Sequence, residues 1–326
     1  MTNPGPMINP GPAMTNPGPA MSPRTGPGGL GPLLDERGLL IGLAFDHRDS
    51  LDVQLAGVGL GAVEPARIRE LKTAILRAVS PSASTVMLDH DYGADAIAGG
   101  ALRAGTGLVM PLEAQGYAQL GDERHTTLMG EFTAADARRM GAHACKVLVP
   151  MRTDRAAFTD SQVTVTRRAI GASHAEGLPI VVEPLVYRTS DETEDGFADR
   201  QELLVLQAVA ALAAEGPDLL KLPFPTSTRD DDAAEAACAA MAIAASGVPW
   251  VLYGAGVPAE VFAWQLRLAG AAGASGFLVG RTVWLDALVG DPLEAGRIAA
   301  ASCRPRFDGF AAVARAACHP VPKEAR

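Results

Sequence analysis

The sequence predicts an α/β protein built as a (β/α)8 barrel, and three observations carry that expectation. Eight strand-length apolar runs follow one another between Leu39 and Val279. They are apolar nearly throughout, as parallel strands covered on both faces are, and Ala-rich amphipathic segments separate most of them. The length, 326 residues, suits one barrel with extensions, since such domains need about 250 residues.

The elements follow in order. Positions 1–6, 8–12 and 15–19 repeat an Asn-Pro-Gly-Pro phrase. Proline and glycine at that density form neither helix nor sheet ladder and offer little to bury, so 1–30 is expected to be a disordered tail and 31–326 the barrel domain. The predicted strands are 39–45, 84–88, 107–112, 144–151, 178–186, 218–224, 249–253 and 276–279. Predicted helices cover 64–79, 134–142, 160–176, 199–215, 230–246 and 258–272, several opening on Asp, Thr or Pro and closing near Gly. Eight strands alternating with helices read as a closed TIM barrel. A doubly wound open sheet fits less well, because no G-x-G-x-x-G follows the first strand.

Composition narrows the function classes. The net charge of −9 and the absence of any Lys/Arg run argue against a nucleic-acid partner. No apolar stretch reaches the ~18 residues that would cross a bilayer, and the N-terminus lacks the pattern of a secretory signal. Cys145, Cys238, Cys303 and Cys318 are scattered without C-x-x-C spacing, which fits reduced thiols in a cytoplasm. The histidines are equally dispersed, so no metal and no cofactor is expected. A homo-oligomer is compatible with the sequence, which does not fix the state.

In such barrels chemistry gathers at the C-terminal ends of the strands. The only lysines are Lys72, Lys146, Lys221 and Lys323, and two of them interrupt apolar strands: Lys146 in the fourth and Lys221 in the sixth. Burying an ammonium is costly unless it is paired or loses its proton. Desolvation and a neighbouring cation both lower an amine pKa, and a free amine adds to a ketone. The alternative is a pair of buried salt bridges, Lys146 with Glu183 on strand five and Lys221 with Asp46 after strand one. Strand one ends in Asp46-His47-Arg48 and strand two in Asp89-His90-Asp91. Gly254-Ala255-Gly256 after strand seven and Gly280-Arg281 after strand eight predict a phosphate site, from open backbone and a forked cation.

At these residues the chain resembles the class I tagatose-1,6-bisphosphate aldolases, a group that includes sulfofructose-phosphate aldolases. The shared phrases include Ala44-Phe-Asp-His-Arg48, Leu71-Lys-Thr-Ala74, Leu88-Asp-His-Asp-Tyr-Gly93 and Gly105-Thr-Gly-Leu108. Cys145-Lys-Val-Leu-Val149, Val182-Glu-Pro-Leu185, Asp218-Leu-Leu-Lys221, Gly254-Ala-Gly-Val-Pro-Ala-Glu260 and Val279-Gly-Arg-Thr-Val-Trp284 continue the series in order. The resemblance implies that Lys221 forms a Schiff base and that Lys146, Glu183 and Asp46 handle protons and hydroxyls. It also implies that 254–256 with Gly280 and Arg281 hold the phosphate of a dihydroxyacetone-phosphate half, with His47 and Arg48 nearby. Two departures, His47 for an expected Gln and Gly254 for an expected Ser, leave the sugar open. An aldolase of inositol catabolism acting on a deoxy-keto-phosphogluconate is the competing substrate reading. A non-covalent sugar-phosphate isomerase or epimerase, and a sugar-phosphate-binding regulator, are the competitors of other classes.

Overall fold

The computed structural model describes residues 29–325; the expected tail lies, apart from its last two residues, outside them. The chain runs through Leu40–Phe45 (β1), Asp49–Gly57 (α1), Pro65–Val79 (α2), Thr85–Leu88 (β2), His90–Ala98 (α3) and Gly107–Pro111 (β3). A small hairpin, Ala118–Leu120 (β4) and Glu123–His125 (β5), precedes Ala134–Arg139 (α4), Ala144–Met151 (β6) and Ala156–Ala175 (α5). Next come Ile180–Val186 (β7), Glu194–Ala213 (α6), Leu219–Leu222 (β8), Asp231–Ala244 (α7), Trp250–Leu252 (β9), Ala259–Ala271 (α8) and Gly276–Val279 (β10). Arg281–Trp284 (α9), Pro292–Ile298 (α10) and Arg304–Ala317 (α11) complete it.

Eight strands close a parallel barrel in the order β1-β10-β9-β8-β7-β6-β3-β2, and β2 returns to β1. This is the TIM barrel that the alternation of runs predicts, with the hairpin lying outside it. The helices form for local reasons. Thr133 and Asp136 cap α4 reciprocally, Thr193 caps α6, and Asp230 caps α7. The buried face of α2 follows the helical period: Ile68, Leu71, Lys72, Ile75, Leu76 and Val79.

Burial divides into two layers. A broad outer layer packs the helices onto the strands. An inner one fills the barrel with Leu40, Ala44, Met87, Val109, Ala144, Val181, Leu219, Val251 and Leu278, and Leu30, Leu33 and Val321 pack against it. Side chains two apart on a strand point to the same side. Ala44, Ala144, Val181, Leu219 and Val251 face inward, so the positions two further on face inward too, nearer the mouth. Those positions are Asp46, Lys146, Glu183, Lys221 and Tyr253.

Candidate active site

The inward positions line one cavity of about 580 Å³ at the C-terminal mouth. At its centre is Lys146. Its Nζ donates to Asp46 Oδ2 at 3.1 Å and to Glu113 Oε1 at 2.5 Å, and it lies 3.3 Å from Glu183 Oε2. Lys221, one barrel strand beyond β7, donates to the same Glu183 Oε2 at 2.8 Å. Glu183 therefore bridges the two lysines. The alternative pairing expected from the sequence is met for Lys146 and Glu183 but not for Lys221, whose partner is Glu183, because Asp46 reaches Lys146 instead.

The electrostatics separate the two lysines' roles. Burial alone would lower the Lys146 amine, but Asp46, Glu113 and Glu183 outweigh it and hold that amine well above its ordinary value. Three carboxylates within contact distance thus exceed the lowering that desolvation and a neighbouring cation could bring. Burial likewise pushes Asp46 upward, yet the Lys146 and Lys221 charges more than offset it and keep the carboxyl far below its usual range. Glu113 goes the other way. Burial raises it beyond what Lys146 recovers, and its Oε2 has no hydrogen-bond partner among the described residues.

The segment after β1 is anchored from below. Lys72 on α2 donates to Phe45 O at 3.1 Å, to His47 O at 2.7 Å and to Asp89. His47 meets Trp284 edge to face at 4.9 Å, and burial brings its imidazole down to about 3, so it is neutral at working pH. Arg48 is buried, and its guanidinium donates to Glu113 O at 2.6 Å and Met129 Sδ at 3.0 Å. Those bonds, with Arg48 N donating to the Gln115 side chain, tie the β1 end to the β3 end. The end of β2 belongs to packing: Asp89 caps α3 and pairs with Lys72, and His90 stacks on Phe132 at 4.3 Å.

Gly254, Ala255, Gly256, Gly280 and Arg281 gather on the cavity wall after β9 and β10, next to the β1 end. Ala255 and Gly256 both have positive φ, +49° and +88°, and their N–H groups have no backbone acceptor among the described residues. The Arg281 guanidinium donates to Ala255 O at 3.1 Å and has no carboxylate partner among the described residues. The N-terminus of α8 beside them lacks a side-chain cap. Open N–H groups and an unneutralised guanidinium suit an oxyanion. Gly254 and Gly280 are small for a different reason. A Cβ on Gly254 would sit 2.7 Å from Thr282 Oγ1, and one on Gly280 would sit 2.8 Å from Ala44 O.

Among the residues at the site that escape the sequence reading are Glu113, Tyr117 and Tyr253. Glu113 was findable, since it stands two residues beyond an apolar strand's end, as Asp46 stands one beyond its own. Tyr117 has φ +47°, a strained setting for an aromatic residue, and burial pushes its phenol up to about 12. Nothing local in the sequence marks that conformation.

Residues 40–286 match the DeoC/LacD family aldolase family, and the chain belongs to it. It is thus an aldolase, a lyase. Tagatose 1,6-diphosphate aldolase 1 of Streptococcus pyogenes serotype M1 is 30% identical over 274 residues, covering 77% of this chain and 82% of that protein. Tagatose 1,6-diphosphate aldolase of Listeria monocytogenes serotype 4a (strain HCC23) is 26% identical, covering 80% and 81%. A fructose-bisphosphate aldolase from Plasmodium falciparum shares the fold, with a TM-score of 0.64 at 13% identity over 85% of this chain and 90% of that one. No helix among the described residues is long and apolar enough to cross a membrane.

Proposed function

We propose that this aldolase is of class I: it cleaves a phosphorylated ketose, resembling tagatose 1,6-bisphosphate, through a Schiff base on Lys221 to give dihydroxyacetone phosphate and an aldehyde. The observation that carries the reading is the unequal setting of two lysines in one cavity. Lys146 is ringed by three carboxylates that keep it protonated, whereas Lys221 has one carboxylate partner, Glu183. That difference favours Lys221 as the nucleophile.

Lys221 Nζ adds to C2 of the open-chain ketose, and loss of water gives an iminium. Glu183 takes the proton of the C4 hydroxyl as the C3–C4 bond breaks, and the electron pair passes into the iminium to form an enamine. The aldehyde leaves, C3 is protonated, and hydrolysis frees dihydroxyacetone phosphate. Lys146 stays charged and orients hydroxyls, with Asp46 as its counter-ion and Glu113 behind it. Ala255, Gly256 and Arg281 hold the phosphate of the ketone half. No cofactor is required, because the iminium is the electron sink. The cavity extends past Phe224 and Trp264 to Arg229, and this outer part seats the aldehyde half. The reaction belongs to sugar-phosphate metabolism in the cytoplasm.

The test is borohydride reduction in the presence of dihydroxyacetone phosphate, followed by peptide mass spectrometry. A reduced adduct on Lys221, lost in Lys221→Met together with cleavage, is expected. An adduct on Lys146 would reverse the two lysines, and none at all on folded enzyme would end the covalent mechanism. Turnover of tagatose 1,6-bisphosphate against a deoxy-keto-phosphogluconate then decides between the two substrate readings.

A further inference from the structure

Tyr253 lines the same cavity and has no part in the mechanism above. It follows β9, the barrel neighbour of β8, where Lys221 lies opposite Val251. Val251 faces the barrel interior, so Tyr253, two residues on, faces inward one layer nearer the mouth. Tyr253 N donates to Leu222 O at 2.9 Å, which fixes the backbone there. The result is a phenol ring against the Lys221 amine, with Nζ 5.5 Å from the ring centroid.

A phenol in such a place usually spends its O–H on a protein acceptor. Among the described residues this hydroxyl has none. The charges that act on it are Glu183, Arg281 and Lys146, with Tyr117 beside them, and the cavity it lines holds both lysines and Arg281. Burial, assisted by Glu183, pushes the phenol above its ordinary range, so it stands in the free enzyme as a neutral donor. Dehydration of a carbinolamine needs such a donor, because hydroxide is a poor leaving group. Lys146 is held by three carboxylates and Asp46 is ionised; of the groups that burial keeps neutral, Glu113 is bonded to Lys146, whereas the Tyr253 ring lies against Lys221 itself.

We propose that Tyr253 is a catalytic residue that donates the proton expelling water when the Lys221 carbinolamine collapses to the iminium. This rests on Lys221 being the Schiff-base residue. The nitrogen lone pair forms the C=N bond, the C2–O bond breaks, and the departing hydroxyl takes the phenolic proton to leave as water. The phenolate then faces the new iminium, an ion pair that replaces two neutral groups. When water later attacks the product iminium, its proton returns to the phenolate and the cycle closes without an outside acid.

The test is Tyr253→Phe, which keeps the ring against Lys221 and removes only the hydroxyl. The rate at which dihydroxyacetone phosphate becomes trappable by borohydride is followed by mass spectrometry, alongside kcat and the equilibrium affinity for inorganic phosphate. Loss of a general acid lowers a rate about 10²–10⁴-fold. Tyr253→Phe is therefore expected to slow trapping and kcat by about 10²-fold or more, with phosphate affinity unchanged and thermal unfolding as in the parent. Wild type that traps on Lys221, with Tyr253→Phe trapping equally fast, would overturn the role of Tyr253 alone. Wild type that never traps would overturn the Schiff base and this role together.

Discussion

Asp46 shows what a single site residue contributes beyond chemistry. Its carboxyl is buried against Lys146 and held far below its unfolded value, in spite of the opposing effect of burial. A depressed folded pKa stabilises the native state fully above the unfolded pKa, about 4, and that stabilisation is lost as pH falls below it. The thermal midpoint of the parent should thus fall more steeply between pH 4 and pH 2 than that of Asp46→Asn, which has no proton to take up there. Parallel profiles from scanning calorimetry would show that Asp46 is not linked to folding. The residue scale was also partly legible in the sequence. Lys146, Glu183 and Lys221 stand out because charged side chains interrupt apolar strands. The full pairing does not, because Lys146 meets Asp46 across 100 positions and Glu113 across 33. Which carboxylate a buried ammonium reaches is decided by barrel register, which single strands do not encode.

Lys72 operates between elements. It sits in the apolar stripe of α2, wholly buried, pairs with Asp89 at the start of α3, and holds the carbonyls that end β1. Burial lowers its amine in spite of Asp89, so the pair depends on its geometry. Breaking a buried pair from one side costs about 3–5 kcal/mol, because the other charge stays buried and unpaired. Lys72→Met should lower the unfolding free energy read from denaturant titration by an amount of that order. Lys72→Met with Asp89→Asn should recover part of it, since Asn still caps α3 while the orphan charge is gone. A double variant no better than the single would place the loss in the β1 carbonyls instead. At this scale the eight strands were readable to within a residue or two, because buried parallel strands are apolar throughout. Less was readable where side chains serve two purposes. Asp89-His90-Asp91 reads as chemistry at a strand end, yet Asp89 is a helix cap and a structural counter-ion. Helix α1 has no buried apolar stripe comparable to that of α2, and the β4–β5 hairpin is exposed to half-buried, so neither announces itself.

The molecule as a whole divides its labour between two ends. Its alternation of strands and helices shows in the sequence; the seam β1–β10 does not, since it joins segments far apart in the chain. The far end from the mouth is also invisible beforehand, because its plug comes from a short Gly/Pro-rich stretch. There Leu33 is fully buried beneath the strand starts, its carbonyl accepts from Ser84 Oγ at 2.8 Å and Thr85 Oγ1 at 2.7 Å, and Leu30 N donates to Ala325 O at 2.9 Å. The first and last described segments thus close the barrel floor together. In this architecture the floor serves stability and the mouth serves chemistry. Leu33→Ala should cost about 2–5 kcal/mol, the range for a buried leucine that leaves a cavity, while kcat of the folded fraction stays within about twofold of the parent, as for a site remote from the chemistry. Lys221→Met should do the reverse, because Glu183 keeps Lys146 as a partner and a methionine fits beside Tyr253. Denaturant titrations and cleavage assays on both variants read the two quantities separately. If Leu33→Ala cut kcat tenfold at temperatures where it is fully folded, the floor and the mouth would be mechanically coupled through the inner layer of side chains, and the division would be wrong.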